Sequence, residues 1–287
     1  MELRQVEHFL AVVRYRGFTR AAQEVHVVQS ALSASIRKLE ADLGAELFER
    51  TTRQVALTPA GEALLPLARR IVADVESARG EVAAVTGLVR GRVSIGTIQT
   101  LTVVDLPGRL RAFRGRHPAI RIHVREGTSP VLTSAVLAGD LELSYVVSPD
   151  PLPDELTGFA RWEQRLVLLT HPGHRLAGRR RIRLAELAGE PFVDFAGSDL
   201  QALVERAFIA AGARREPVCE ASHVPLLVDL VAAGLGSTIV PEAVAQRSGL
   251  PFARLVEPAL NRTIHLVGRT AKLTNPAARA LLTELLA

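Results

Sequence analysis

The chain has 287 residues, a net charge of +5, a hydrophobic fraction of 48% and one cysteine, Cys219. That length points to about two domains and that apolar content excludes a disordered chain. The lone cysteine excludes an internal disulfide framework and fits a reducing cytoplasm. The opening MELRQVEHFL is charged and amphipathic without an apolar leader, and no run of about 18 apolar residues follows, so neither export nor a membrane is expected.

A first helix is predicted over residues 3–16, with Leu3, Val6, Phe9, Leu10 and Val13 as its apolar stripe and Gly17 as its end. His8 reads as a packed or surface side chain. Residues 18–43 read as two short helices with a turn near His26 to Val28. Thr19 can cap the first of them, and Ala21 and Ala22 let the second approach closely. That second helix starts at about Gln29. Leu32, Ile36, Leu39 and Leu43 recur at spacings of 4, 3 and 4, so they share one face. Ser30, Ser33, Ala34 and Arg37 fall opposite, with Gln29 at the edge.

An apolar back and a small, donor-rich, acid-free front suit the DNA major groove: the backbone comes close, Gln and Ser hydrogen-bond to bases, and Arg pairs with guanine or phosphate. Free amides at the helix start add a phosphate seat. An ordinary surface helix pair has the same spacing, and spacing alone does not separate the two. Bulk charge does not either, because residues 1–58 carry eight basic and seven acidic side chains. The argument for nucleic acid is placement: Arg37, Lys38, Arg50 and Arg53 lie on or beside the same surface.

Gly44 stops the helix, and residues 47–57 read as a short hairpin with Arg50 and Arg53 near its tip. Thr58-Pro59 opens a long helix as cap and first-turn proline. Leu64, Ala68, Ile71, Val75, Ala78, Val82, Val85 and Val89 make a seam in steps of 4 and 3. The simplest partner for that seam is the same helix of a second copy, and packing on the chain's own second domain is the alternative. Pro66 is expected to bend the helix.

From Arg92 strand and helix alternate. Strands are predicted at 92–97, 120–125, 141–147, 165–170, 191–195, 218–221, 237–240 and 263–269, and helices at 106–116, 129–138, 199–211, 225–233 and 275–286. Such alternation implies crossover units, a mostly parallel sheet, and ligands beyond the carboxyl ends of strands. Those ends supply Gln99, Thr100, Thr102, Thr128, Ser129 and Ser148. A second lobe adds Phe195 and Ser198. Hydroxyls and free helix-start amides suit a small anion, and each is equally an ordinary helix cap. The third strand ends in Tyr145-Val146-Val147, with no arginine to clamp a carboxylate. The arginines at 109, 111, 114, 116, 121 and 125 read as a mostly solvated face, with a subunit contact as the alternative, and Arg179, Arg180 and Arg181 as an exposed loop. The eight histidines show no ligand spacing, so no metal is expected. Neither a Gly-x-Ser-x-Gly elbow nor a phosphate-binding glycine loop is present.

The segments LRQVEHFLAVVRYRGFTRAA, QSALSASIRKLEADLGAELFER and LTPAGEALLPLAR resemble the N-terminal domain of the LysR-type transcriptional regulators. GRVSIGT, LPGRLRAFRGRHP, LAGDLELSYV, LVLLTHPGHRLA and VAAGLGSTIVPEAVA, in that order, are similar to the effector domain of the same family. The resemblance implies an α plus α/β architecture: a winged helix-turn-helix over 1–58, a dimerising linker helix over 59–90, and a two-lobed periplasmic-binding-protein-like domain over 91–287 (lobe I about 91–161 and 267–287, lobe II about 162–266). It implies crossovers near Phe159 to Trp162 and Asn261 to Leu266. It also places Thr19, Gln29, Ser30, Ser33, Ala34, Arg37, Lys38, Arg50 and Arg53 at DNA, and positions like Thr100 and Thr128 at inducers. Val28, Ser30, Ala34 and Thr52 depart from the family pattern, which bears on the operator sequence.

The expected partners are double-stranded DNA, a second or further copies of the chain, a small-molecule effector and, at the promoter, RNA polymerase, with no cofactor. The rival reading is a cytoplasmic solute-binding or catalytic α/β protein with an N-terminal helical dimerisation module. The absence of an export signal and of a nucleophile–base constellation weighs against it.

Overall fold

Apolar residues three and four apart build the amino-terminal helices of this computed structural model, which describes residues 1–49, 55–85, 91–148, 151–257 and 259–287. The chain divides into two units: residues 1–91 with 138–140 and 274–277, and the remainder from 92 to 287. The first contains α1 (Leu3–Tyr15), α2 (Phe18–Glu24), α3 (Gln29–Leu43) and α4 (Pro59–Val85). Val6, Phe9 and Val12 of α1, Ala21 and Ala22 of α2, Leu32, Ile36 and Leu39 of α3, and Ala68 of α4 are each at most 2% exposed and form one core. Phe48 closes it, with ring centroids 5.4 Å from Phe9 and 5.6 Å from Phe18.

The turns differ from the sequence reading in three places. Arg16, not Gly17, takes the left-handed conformation that ends α1. Thr19 lies inside α2 and is exposed; Gly17 is the N-cap and brings no side chain. Leu43 is 41% exposed, because α3 ends there and Gly44 turns the chain at φ 69°.

Beyond Gly44, Phe48 and Leu57 form an antiparallel bridge, and Glu49 N donates to Ala56 O at 3.0 Å. This is the base of the expected wing. Its tip, with Arg50, Thr52 and Arg53, lies outside the described residues. Thr58 Oγ1 accepts from Gly61 N at 3.1 Å and caps α4 as expected. The helix runs through Pro66 as a single element of 27 residues, about 40 Å long. Its seam is divided. Leu64 and Ala68 pack on the first unit's own core, whereas Ala78 and Val82 are exposed. Val85 and Val89 fall outside the described side chains.

The second unit follows the predicted alternation. It contains β1 (Gly91–Thr97), α5 (Leu106–Arg116), β2 (Ile120–Glu126), α6 (Ser129–Leu137), β3 (Leu143–Val147), β4 (Thr157–Leu169), β5 (Arg181–Arg183), β6 (Pro191–Phe195), α7 (Asp199–Ala210), β7 (Glu216–Ala221), α8 (Val224–Ala232), β8 (Thr238–Pro241), α9 (Glu242–Ser248), β9 (Phe252–Val256), β10 (Asn261–Gly268) and α10 (Pro276–Leu286). Eight strands share a sheet in the order β2-β1-β3-β10-β4-β9-β5, with β8 also on β4, and β6 pairs with β7.

The sheet is mixed rather than mostly parallel. β1–β3, β5–β9 and β6–β7 are parallel, but β10 runs antiparallel to both β3 and β4, and β4 antiparallel to β8 and β9. The long pair β4–β10 imposes this. One lobe buries Val93, Ile95, Phe113, Leu132, Leu143 and Tyr145. The other is centred on Leu166 to Leu169, Phe192, Val193, Phe208, Leu227 and Ile239. Arg181 is the start of β5 rather than a loop residue, although its side chain stays exposed. Arg109 and Arg116 bind Glu284 on α10, so two of the six arginines in the predicted solvated face fasten helices.

Gly61 is the close approach on which the wing depends. A Cβ there would run into the Leu47 carbonyl oxygen and the Leu57 side chain. Gly61→Ala is therefore expected to destabilise the first unit by about 1–3 kcal/mol, read as a lower denaturation midpoint. An unchanged midpoint would show that α4 and the wing base separate freely.

Candidate DNA-contact surface and effector cleft

The face of α3 away from the core is open. Gln29, Ser30, Ala31, Ala34 and Arg37 are exposed and Ser33 is half-buried, while Leu32, Ile36 and Leu39 are buried beneath them. Val28 stands at the N-cap with no side-chain acceptor, so no side chain caps the leading amides of α3. Lys38 is on the same helix but is not a free cation. Its Nζ donates to Glu2 Oε1 at 2.7 Å, and that hydrogen bond raises the Lys38 pKa and lowers that of Glu2. His8 is buried, and its Nδ1 has no hydrogen-bond partner. Burial, with Arg4 nearby, pushes its pKa down and favours the neutral ring.

In the second unit a cleft of about 850 Å³ opens between the starts of α6 and α7 and over β10. Four of the sequence-predicted residues line it: Thr128, Ser129, Ser148 and Ser198. Gln99, Thr100, Thr102 and Phe195 do not. Phe195 is 4% exposed in the core of its lobe, and its carbonyl accepts from Ser198 Oγ at 2.6 Å. Thr100 is buried one layer behind the cleft wall, where it accepts from Arg262. Thr102 Oγ1 accepts from Gln164 Nε2 at 2.8 Å.

Three charged residues in the lining were not anticipated from the sequence: Asp199, Arg206 and Arg262. Asp199, the first residue of α7, reaches across to α6. Its carboxylate accepts from Ser129 N at 3.0 and 3.1 Å and from Ser129 Oγ at 2.7 Å. Ser129 Oγ in turn accepts from Val147 N at 2.7 Å. The start of α6, which the sequence reading offered to a small anion, is therefore occupied by the chain's own carboxylate.

Arg262 lies on β10 and is 5% exposed. Its Nε donates to Gln164 Oε1 at 2.6 Å and its Nη2 to the Thr100 carbonyl at 3.2 Å. Burial pushes its pKa down to about 10, opposed by the Asp199 charge, so it stays cationic near neutral pH. A guanidinium suited to a carboxylate is thus present, but on the last strand rather than the third.

A second cluster resembles a catalytic set and is not one. His174 Nε2 lies 2.9 Å from Glu190 Oε2 and 3.5 Å from Ser237 Oγ. Leu176 N donates to His174 Nδ1 at 3.2 Å, which places the ring proton on Nε2, where it points to Glu190. The imidazole therefore has no lone pair for the serine.

A helix-turn-helix with a wing, followed by a two-lobed α/β unit with a polar cleft, defines a ligand-responsive DNA-binding protein. Family models agree on both halves. Residues 3–62 match the bacterial regulatory helix-turn-helix protein, lysR family, and residues 86–287 match the LysR substrate binding domain. The chain belongs to the LysR family of transcriptional regulators and is a DNA-binding regulator with an effector-binding domain.

Among its relatives are a probable hydrogen peroxide-inducible genes activator of Mycobacterium avium, 32% identical over 95% of this chain and 89% of that one. The DNA-binding transcriptional dual regulator OxyR of Escherichia coli is 30% identical over 94% and 90%. Full-length CbnR complexed with its target DNA superposes with a TM-score of 0.68 at 27% identity, covering 100% of this chain and 99% of that one. A full-length OxyR variant from Pseudomonas aeruginosa shares the fold, with a TM-score of 0.74 at 21% identity over 99% and 94%. Among the described residues no helix is long and apolar enough to cross a membrane.

Glu2 neutralises Lys38 in the free protein, so Glu2→Gln should release a cation beside α3. The expected result is tighter binding to nonspecific duplex, with a salt slope steeper by about 0.9, measured by fluorescence anisotropy across a salt titration. A slope equal to that of the unsubstituted protein would place Lys38 off the DNA.

Proposed function

We propose that α3 is the recognition helix and enters the major groove with Gln29, Ser30, Ser33, Ala34 and Arg37 toward base edges. Arg50 and Arg53 of the wing then lie along the sugar-phosphate backbone. Thr19, exposed near the start of α2, is a further backbone contact. The observation that carries this reading is the contrast across α3: three side chains at most 2% exposed on one face, and short or cationic exposed side chains on the other.

The exposed carboxyl-terminal half of the α4 seam, Ala78 and Val82, calls for a second copy. Apolar residues exposed on elements of each lobe, Val124 and Val131 on β2 and α6, Val218 and Leu226 on β7 and α8, support further self-association. The protein acts in the cytoplasm and does not catalyse a reaction. A small molecule held among Thr128, Ser129, Ser148 and Ser198 shifts the balance between lobe arrangements and re-spaces the recognition helices. This chain has one cysteine and cannot form an intrachain disulfide, so a switch built on one is not proposed for it.

A gel shift with the DNA flanking its own gene tests the reading. Arg37→Ala is expected to lower affinity by about 1–3 kcal/mol, with discrimination lost at one base position. Ser33→Ala should alter base preference while leaving nonspecific affinity unchanged. Equal losses on operator and random duplex for both variants would remove α3 from base readout. Arg53→Ala should weaken binding to all duplexes alike and flatten the salt slope by about one unit.

A further inference from the structure

The polar inventory of the cleft leaves one buried cation without a counterion. Arg262 uses Nε and Nη2 on Gln164 and Thr100, all neutral acceptors. Among the described residues no hydrogen bond reaches Nη1, and no carboxylate comes within ion-pair distance of this guanidinium. Arg206, exposed on α7, lines the same cleft and likewise has no ion-pair partner there. The one acid in the lining, Asp199, has both oxygens engaged by Ser129. Charge in the lining therefore sums to one excess positive, and a single negative charge balances it. A dianion would leave an excess beside Asp199. Pro130, Val147, Ala202 and Leu203 supply apolar wall around that charge, and Thr133, Ser148 and Thr263 supply hydroxyls.

We propose that the anion seat of this cleft is Arg262 Nη1, assisted by Arg206, and not the start of α6, and that its occupant is a small organic monocarboxylate. The carboxylate lies against the two guanidiniums and the organic body against the apolar wall. Asp199 keeps the α6 amides closed to it. This inference rests on the reading of the cleft as the effector site and adds the chemical class of the effector and the residue that selects it.

The probe is trifluoroacetate, followed by fluorine NMR line broadening with the full-length protein at fixed ionic strength, and trifluoroacetamide is the neutral control. The expected result is saturable broadening of the acid and none of the amide. Arg262→Gln should weaken binding about tenfold or more, and Arg262→Lys, which keeps the charge, should recover part of the loss. Arg206→Ala should weaken it by about threefold. Asp199→Asn, which removes the competing negative charge, should strengthen it. Melting curves establish that each variant is folded. If neither Arg262 variant folds, the exposed Arg206→Ala and Asp199→Asn decide, and they must move affinity in opposite directions.

Four results overturn the proposal: no saturable binding to the unsubstituted protein, equal binding of the amide, binding indifferent to both arginines, or binding that appears only once Asp199 is replaced. The last would place the anion at α6. A gel shift run on the same samples separates the two claims. Loss of DNA binding would sink the regulator reading and leave the ligand result standing, and intact DNA binding without trifluoroacetate binding would sink only the anion seat.

Discussion

Two antiparallel strands hold the second unit in register with itself. β4 and β10 pair from Asn261↔Arg165 to Gly268↔Thr157, and each continues into both lobes. A cleft between lobes so joined has these strands as its floor, and the side chains that alternate onto that floor are set by the register. Gln164 and Arg262 are direct partners in it. Their side chains meet at 2.6 Å, and both reach back to the loop after β1 through Thr100 and Thr102. The pairing that closes the sheet therefore also fixes the cation in the cleft wall. The mixed direction of the sheet follows from the same constraint, since a pair of strands crossing the same boundary in opposite senses cannot be parallel.

Much of this fold was legible because local patterns sufficed. The 106–116 helix begins where an Asp side chain caps it and ends before His117-Pro118, and both ends are readable in isolation. α3 was legible because its stripe is regular and Gly44 marks its end. The turn before α2 was not. Gly17 looks like the residue that supplies a left-handed conformation, but Arg16 takes it, and the extended Gly17 opens the next helix. β5, β9 and α9 escaped notice because they are short, and their strands are defined by pairing with each other and with β4 rather than by their own periodicity. The α4 seam shows a limit of a different kind. An unbroken heptad pattern reads as one interface, yet Leu64 and Ala68 serve the chain's own core and Ala78 and Val82 do not.

The candidate cleft was half legible for the same reason. Hydroxyls after strand ends are predictable from strand ends. Arg262 is not, because it meets Gln164 across 98 positions of sequence and Thr100 across 162. Asp199 is a more instructive case. After Ser198, an acid at the first helical position is what a helix dipole favours, and that local account is complete without any reference to α6. The local account is also satisfied here, since Ser198 Oγ accepts from Gln201 N. Its second role, filling the amide seat of a helix 70 positions earlier, arises only when the lobes face each other.

Two buried arginines in this unit show how charge compensation separates structure from site. Arg215, 6% exposed at its side chain, binds the buried Asp194 and the exposed Glu205 and lies 5.5 Å over the Phe192 ring. Burial works against its charge, and the two carboxylates more than offset that, so its pKa is raised. A cation so compensated fixes β6 against the segment before β7, and its charge is already balanced by carboxylates of its own chain. Arg262 is more deeply buried, and that burial pushes its pKa the other way, with neutral hydrogen-bond partners and only the Asp199 charge to oppose it. Burying a charge beside neutral acceptors alone is unfavourable, and in a closed core it would be selected against. It is tolerable where one edge of the guanidinium faces a cleft that water or an anion can enter. An anion that bridges Arg262 on the hinge pair to Arg206 on α7 would couple the position of that helix to the strands that carry both lobes. A binding event and a lobe rearrangement would then share a single free-energy change.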